Sequence, residues 1–167
     1  VARDILGVGA VGLGVLTMMA GVGSLFGSLS LVVLSGYPHK VWLLLGASFF
    51  YGMGILAFSG STWFPLSLAI VAGIGMMAST FDALQWTLLQ AEVPDGMRGR
   101  VMGAWVFAVG FGWVGHLELG ALGDLIGVQW ALAINGSLVT AGATIAALVA
   151  FRLSRTRSPT SPNLPMT

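Results

Sequence analysis

The chain has 167 residues, 56% of them hydrophobic and 8% charged. A soluble domain carries about 25% charged residues to face water, and 7 Lys+Arg with 6 Asp+Glu cannot cover a water-facing globule of this size. A mean hydropathy of +0.92 excludes a disordered chain, a net charge of +1 excludes a broad electrostatic grip on nucleic acid, and the lack of cysteine removes disulfides, thiolate metal sites and thiol nucleophiles. The composition is that of an integral membrane protein.

Uncharged stretches measure the spans, because a helix needs about 20 apolar residues to cross roughly 30 Å of hydrocarbon. No charge lies between Asp4 and Lys40, nor between Lys40 and Asp82. Gly, Pro and polar punctuation then predicts an all-α, polytopic membrane bundle of about five helices. The first covers 9–34 and ends before the turn from Ser35 to Lys40. The second covers 41–58 and ends at Ser59 to Thr62. The third covers 64–89 and ends at the polar loop Gln90 to Arg100. The fourth covers 101–119 and the fifth 128–151. Residues 1–152 are thus predicted to form the membrane part, and 153–167 a basic, Pro/Ser-rich tail without fixed structure.

With five crossings, Lys40, Arg98, Arg100, Arg152, Arg155 and Arg157 fall on one side and Arg3 alone on the other. The positive-inside rule then predicts a multi-pass protein of the cell (inner or plasma) membrane, its first residue outside and its tail cytoplasmic. Trp42, Trp63 and Trp130 stand at predicted span ends, where amphipathic rings settle among headgroups.

Many of the 25 glycines read as packing surface. In the first helix Gly23 and Gly27, beside Ala20, Ser24 and Ser28, remove the bulk that would keep a neighbouring backbone away. Ala104, Ala108 and Gly112 form a similar small face on the fourth. Two motif matches carry no function. Gly7 to Gly12 fits the dinucleotide pattern G-x-G-x-x-G but lacks the preceding strand and the acidic residue about 20 positions on. Asn135-Gly136-Ser137 fits a glycosylation acceptor but falls inside the fifth helix.

From Leu88 to Gly103 the chain reads Leu-Leu-Gln-Ala-Glu-Val-Pro-Asp-Gly-Met-Arg-Gly-Arg-Val-Met-Gly. This segment closely resembles the cytoplasmic loop between the tenth and eleventh helices of major facilitator superfamily transporters. The similarity is strongest to the branch that includes bacterial siderophore exporters and drug-efflux proteins. There a segment of the form T-L-L-Q-x-x-V-P-D-E-x-R-G-R-V-M-G leads into a helix ending G-x-L-x-D-x-x-G. That ending is matched by Gly120, Leu122, Asp124 and Gly127. The resemblance is specific over 87–132, whereas Ser35 to Lys40 matches poorly the acidic-basic loop after the family's eighth helix. It implies helices eight to twelve of a twelve-helix transporter, with the first seven absent from this chain. Two six-helix halves would flank a substrate site near the midplane. It also implies a cytoplasmic gate loop at Pro94, Asp95, Arg98, Gly99 and Arg100, and an outer motif at Gly120, Asp124 and Gly127. Read physically, Pro94 ends the third helix, Asp95 caps the next one, and the arginines stay at the membrane surface. A capped turn with topogenic charges satisfies the same residues.

Ionisable residues at membrane depth are costly and are functional candidates by default. Asp82 lies ten residues before Glu92, about 15 Å from the loop, and is placed near the midplane with Ser79 and Trp86 on its face. It is the leading candidate for proton coupling, since burial disfavours an unpaired carboxylate. His116 and Glu118 are further translocation candidates near the outer rim. The resulting expectation is secondary active efflux of small organic molecules, with the lipid bilayer and the missing N-terminal half as partners. No cofactor, metal or catalytic residue is expected. The alternatives are a non-transporting membrane scaffold of the same fold and, weaker, an intramembrane hydrolase. The latter would need a Ser nucleophile within reach of a His base, and neither His39 nor His116 accompanies one.

Overall fold

The structure, a computed structural model, describes residues 9–34, 36–110 and 112–156, with the side chains of 33, 34, 92, 95, 108, 113, 116 and 156 outside that description. It is helical throughout: α1 (Ala10–Leu34), α2 (Lys40–Ser59), α3 (Phe64–Glu92), a 3-10 turn (Asp95–Met97), α4 (Arg98–Gly110), α5 (Gly112–Ile126) and α6 (Val128–Thr156). Four of these helices, α1, α2, α3 and α6, are long and apolar enough to cross a membrane.

Small residues bring the long helices together. A Cβ on Gly23 would run into the carbonyl of Ala72, one on Gly27 into Met76, and one on Gly75 into Ala20. The α1 and α3 backbones therefore touch, as the Gly23/Gly27 stripe predicts. The hydroxyls beside the stripe join the contact. Ser24 donates to the Gly75 carbonyl at 3.2 Å, and the Ser28 and Ser79 hydroxyls lie 2.8 Å apart. A second crossing, between α2 and α6, has Gly52 and Gly136 facing each other's backbones, each Cβ position 3.0 Å from the other's carbonyl oxygen. Hydrocarbon solvates apolar side chains as well as a protein core does, so close backbone approach and hydrogen bonds hold such helices together. Burial follows that logic. The interior is built largely of Ala47, Ala131, Ala143, Ser61, Ser67 and Thr80, while Leu25, Phe26, Leu138 and Leu148 face outward.

Contact order fixes helix directions. Gly23 and Gly27 meet Ala72 and Met76 in ascending order, so α1 and α3 run parallel. Ser48 and Tyr51 share one cavity with Ala78, Phe81 and Asp82, whereas Met53, Gly54 and Ala57 share another with Ile70, Gly73 and Ile74, so α2 runs antiparallel to α3. Ser59 and Gly60 meet Gln129 and Trp130, while Trp42 meets Ala143 and Ala147, so α2 is also antiparallel to α6. Lys40, Arg98, Arg100, Arg152 and Arg155 therefore collect at one end of the bundle. Toward the other end, among the described residues, the ionisable side chains are the acidic Glu118 and Asp124. Trp63 and Trp130 are exposed at this second end.

Three boundaries differ from the sequence reading. The predicted helix 101–119 is found as α4 and α5, of 13 and 15 residues, on either side of residue 111, and helical residues run on to Ile126. Neither piece alone has the length of a span. Together they return the chain from the basic end, where α3 stops, to the opposite end, where α6 starts. Helix formation also continues past Leu89 to Glu92, because Pro94 sets the stop: Val93 before it is extended (φ −89, ψ 121). Finally, α6 continues to Thr156 rather than ending by 152. Cations in a last turn are favoured by the helix dipole, and the Arg155 guanidinium lies 4.5 Å over the Phe151 ring. The rest of the predicted tail, 157–167, lies outside the described residues.

Candidate functional site

Asp82 opens into a cavity of about 400 Å³ between three helices. Ala78, Phe81 and Asp82 come from α3, Ser48 and Tyr51 from α2, and Val139 from α6. Tyr51 is near enough to Asp82 for the two groups to interact electrostatically. Among the described residues Asp82 has no ion pair, and no Lys or Arg lines the cavity. Neighbouring clefts differ: one is lined by Trp42, Phe49 and Ala147, another by Phe50, Ile70 and Met77, and neither has a charged side chain.

One expectation about Asp82 needs correction. Its predicted companions Ser79 and Trp86 are engaged elsewhere, Ser79 with Ser28 of α1 and Trp86 with Trp105 of α4 at a ring-centroid distance of 4.3 Å. At about 100° per residue, positions i−3 and i+4 both lie about 40–60° to one side of Asp82, whereas i−4 and i−1 lie to the other. The fold turns that second flank, with Ala78 and Phe81, toward α2 and α6. A helix of 29 residues is about 43 Å long, and Asp82, about 15 Å from its basic end, lies within its apolar span.

Tyr51 and Ser48 went unnoticed in the sequence reading. The signal was present, since Tyr51 is one of only 2 tyrosines and the other lies in a loop. It stands mid-span, with Ser48 at i−3 on the same helix face.

The gate loop is built as a tight turn. The Met97 amide donates to the Pro94 carbonyl at 2.9 Å, closing the 3-10 turn that runs directly into α4 at Arg98. Asp95 is the first residue of that turn; its side chain, and with it the predicted cap, lies outside the described residues. Arg98 reaches back to donate from Nη2 to the Gln90 carbonyl at 3.4 Å, placing a cation at the C-terminus of α3. Gly99 and Arg100 are exposed. No known protein family, curated protein or solved structure matches this chain.

The outer motif is a joint between helices. Gly127 alone separates α5 from α6. It adopts φ +89, donates its amide to the Gly123 carbonyl at 3.0 Å and accepts from the Ala131 amide at 3.1 Å. This left-handed residue ends one helix and opens the next, a conformation in which Cβ is disfavoured. Gly123 lets Val128 close in, its Cβ position lying 3.3 Å from Val128 Cγ2. Gly120 has open space around it, and Asp124 is exposed. Glu118 is exposed on α5, and the His116 side chain lies outside the described residues. The Asp82 cavity includes neither. Among the described residues, no three His, Cys, Asp or Glu side chains converge as a metal site.

Proposed function

We propose that this chain is the C-terminal part of a secondary active efflux transporter for small organic molecules, working by alternating access against an N-terminal half. The observation that carries the reading is Asp82, an ionisable side chain within the hydrocarbon, opening into a cavity formed by three helices. Such a residue is costly in a purely structural bundle and useful in a translocation path. The resemblance of Leu88–Gly103 and of the Gly120–Gly127 motif to major facilitator transporters supports the same reading. The clustering of basic residues at one end supports reading that end as the cytoplasmic one, in a cell membrane.

In this reading Asp82 takes a proton from one side and releases it to the other, and the Pro94–Arg100 turn is a cytoplasmic latch. The test is proton-driven efflux by the full-length protein. Asp82→Asn should keep the protein in the membrane and abolish coupling to the proton gradient, while Glu118→Gln, outside the cavity, should change efflux little. Normal gradient-driven efflux by Asp82→Asn across pH 6 to 8 would make Asp82 structural.

A further inference from the structure

We propose that the groove between α2 and α6 at the basic end of the bundle binds an anionic glycerophospholipid, with an acyl chain in the groove and the phosphate on Arg155. The proposal is independent of the efflux reading. Gly52 and Gly136 bring the two helices into backbone contact. Toward the basic end, Trp42, Gly46 and Phe49 of α2 and Ala143, Thr144 and Ala147 of α6 line a groove of about 340 Å³. At about 100° per residue, Ser48 and Tyr51 fall on the other flank of α2, so the groove faces away from the Asp82 cavity. Among the described residues no third helix lines it, and it opens to the bilayer.

The walls suit hydrocarbon. Thr144 supplies the hydroxyl of the lining, and it already donates to the Thr140 carbonyl of its own helix at 2.7 Å. From Trp42 to Phe49 the groove runs about 10 Å along α2, a third of the roughly 30 Å of hydrocarbon. A partner helix would be gripped over only part of its span, whereas an acyl chain enters from one leaflet. The mouth suits a phosphate. With 29 residues, α6 is about 43 Å long and outruns the hydrocarbon by about 13 Å. Trp130 is exposed near its other end, where such rings sit among headgroups, so the excess falls at Phe151 to Thr156. Phe151 follows Ala147 at i+4 on the same helix face, and the Arg155 guanidinium lies 4.5 Å from the Phe151 ring centroid. That contact holds a cation beyond the groove at headgroup depth, and its planar fork matches phosphate oxygens. Lys40 and Arg152 add positive charge at the same end, and neither α2 nor α6 contains an acidic residue. A zwitterionic headgroup would bring an ammonium with no carboxylate to meet it, whereas an anionic one gains from each cation.

The experiment is lipid retention by the full-length protein, released from nanodiscs of equimolar dioleoylphosphatidylglycerol and dioleoylphosphatidylcholine and read by native mass spectrometry. The parent should retain phosphatidylglycerol in preference to phosphatidylcholine. Arg155→Gln should lower that preference about fivefold, the equivalent of one cation at the surface, and Arg155→Lys should keep most of it. Gly46→Leu leaves every charge in place but fills the groove, because a Cβ at Gly46 has open space around it. It should reduce retained phosphatidylglycerol about fivefold or more, as expected for overpacking. Equal retention of the two lipids by the parent, or an unchanged preference in Arg155→Gln, overturns the proposal. Unchanged retention in folded Gly46→Leu reduces the effect to a general attraction of anionic lipid to a basic surface and also overturns it. If Gly46→Leu does not fold, Ala147→Leu from the facing wall carries the same expectation and the same refutation.

Discussion

Two stripes of small residues look alike in this sequence and behave differently in the fold. Gly23 and Gly27 on α1, with Gly75 on α3, are pressed against backbone, and the neighbouring Ser24 and Ser28 hydrogen-bond across the contact. On the α4–α5 arm, Ala104 and Gly112 are exposed and Gly112 has open space around it, while the Ala108 side chain lies outside the described residues. Val106, Phe107 and Val109 on the same arm also face outward. A small-residue spacing therefore states that a backbone could approach, and a partner helix decides whether it does. In the first stripe hydroxyls at i+1 from each glycine meet carbonyl and hydroxyl groups of α3, so the approach gains polar contacts that hydrocarbon cannot offer. The arm is anchored instead at its ends, by the Trp86–Trp105 contact and by the Gly127 joint. The buried Trp105 indole N–H finds no acceptor among the described residues, so that end is held by the ring contact and by the Arg98 hydrogen bond to the Gln90 carbonyl.

The contrast is easiest to break at the crossing. Gly75→Leu places a branched side chain where the Ala20 carbonyl stands. Backbone cannot swing aside as a side chain can, so the expected loss is about 3 kcal/mol or more, read as SDS-induced unfolding followed by tryptophan fluorescence. A variant as stable as the parent would mean that α1 and α3 do not touch there.

The next effect belongs to the arm. Gly127→Ala puts a Cβ on a left-handed residue with φ +89 and should cost about 1–2 kcal/mol, with local protease sensitivity rising at the α5–α6 junction. No change in either measurement would show that the joint tolerates an ordinary turn.

A smaller effect apportions the crossing between shape and hydrogen bonding. A double-mutant cycle of Ser28→Ala and Ser79→Ala should give a coupling of about 0.6 kcal/mol, because the hydroxyls lie 2.8 Å apart. Additive single losses would assign the contact to shape alone. Smallest of all, Ala104→Leu on the exposed face of α4 should shift stability by no more than about 0.5 kcal/mol in the same unfolding assay. A large loss there would reveal a partner for the arm and erase the contrast.

By itself the sequence determined the membrane class, the approximate limits of the four long spans and the stop before Pro94. Each follows from local physics: the length of apolar runs against the thickness of hydrocarbon, and the steric effect of proline on its predecessor. It also placed the basic residues at one end of the bundle, because alternate loops of antiparallel neighbours must share a side. What only the tertiary structure decided was pairing. Asp82 has two flanks at similar angles, and its own helix cannot specify which of them meets a neighbour. The contacts of α3 with α1 and α4 occupy Ser79 and Trp86, leaving Asp82 to open toward Tyr51 and Ser48. The unequal use of the two small-residue stripes has the same origin, since a stripe carries no information about the helix opposite it.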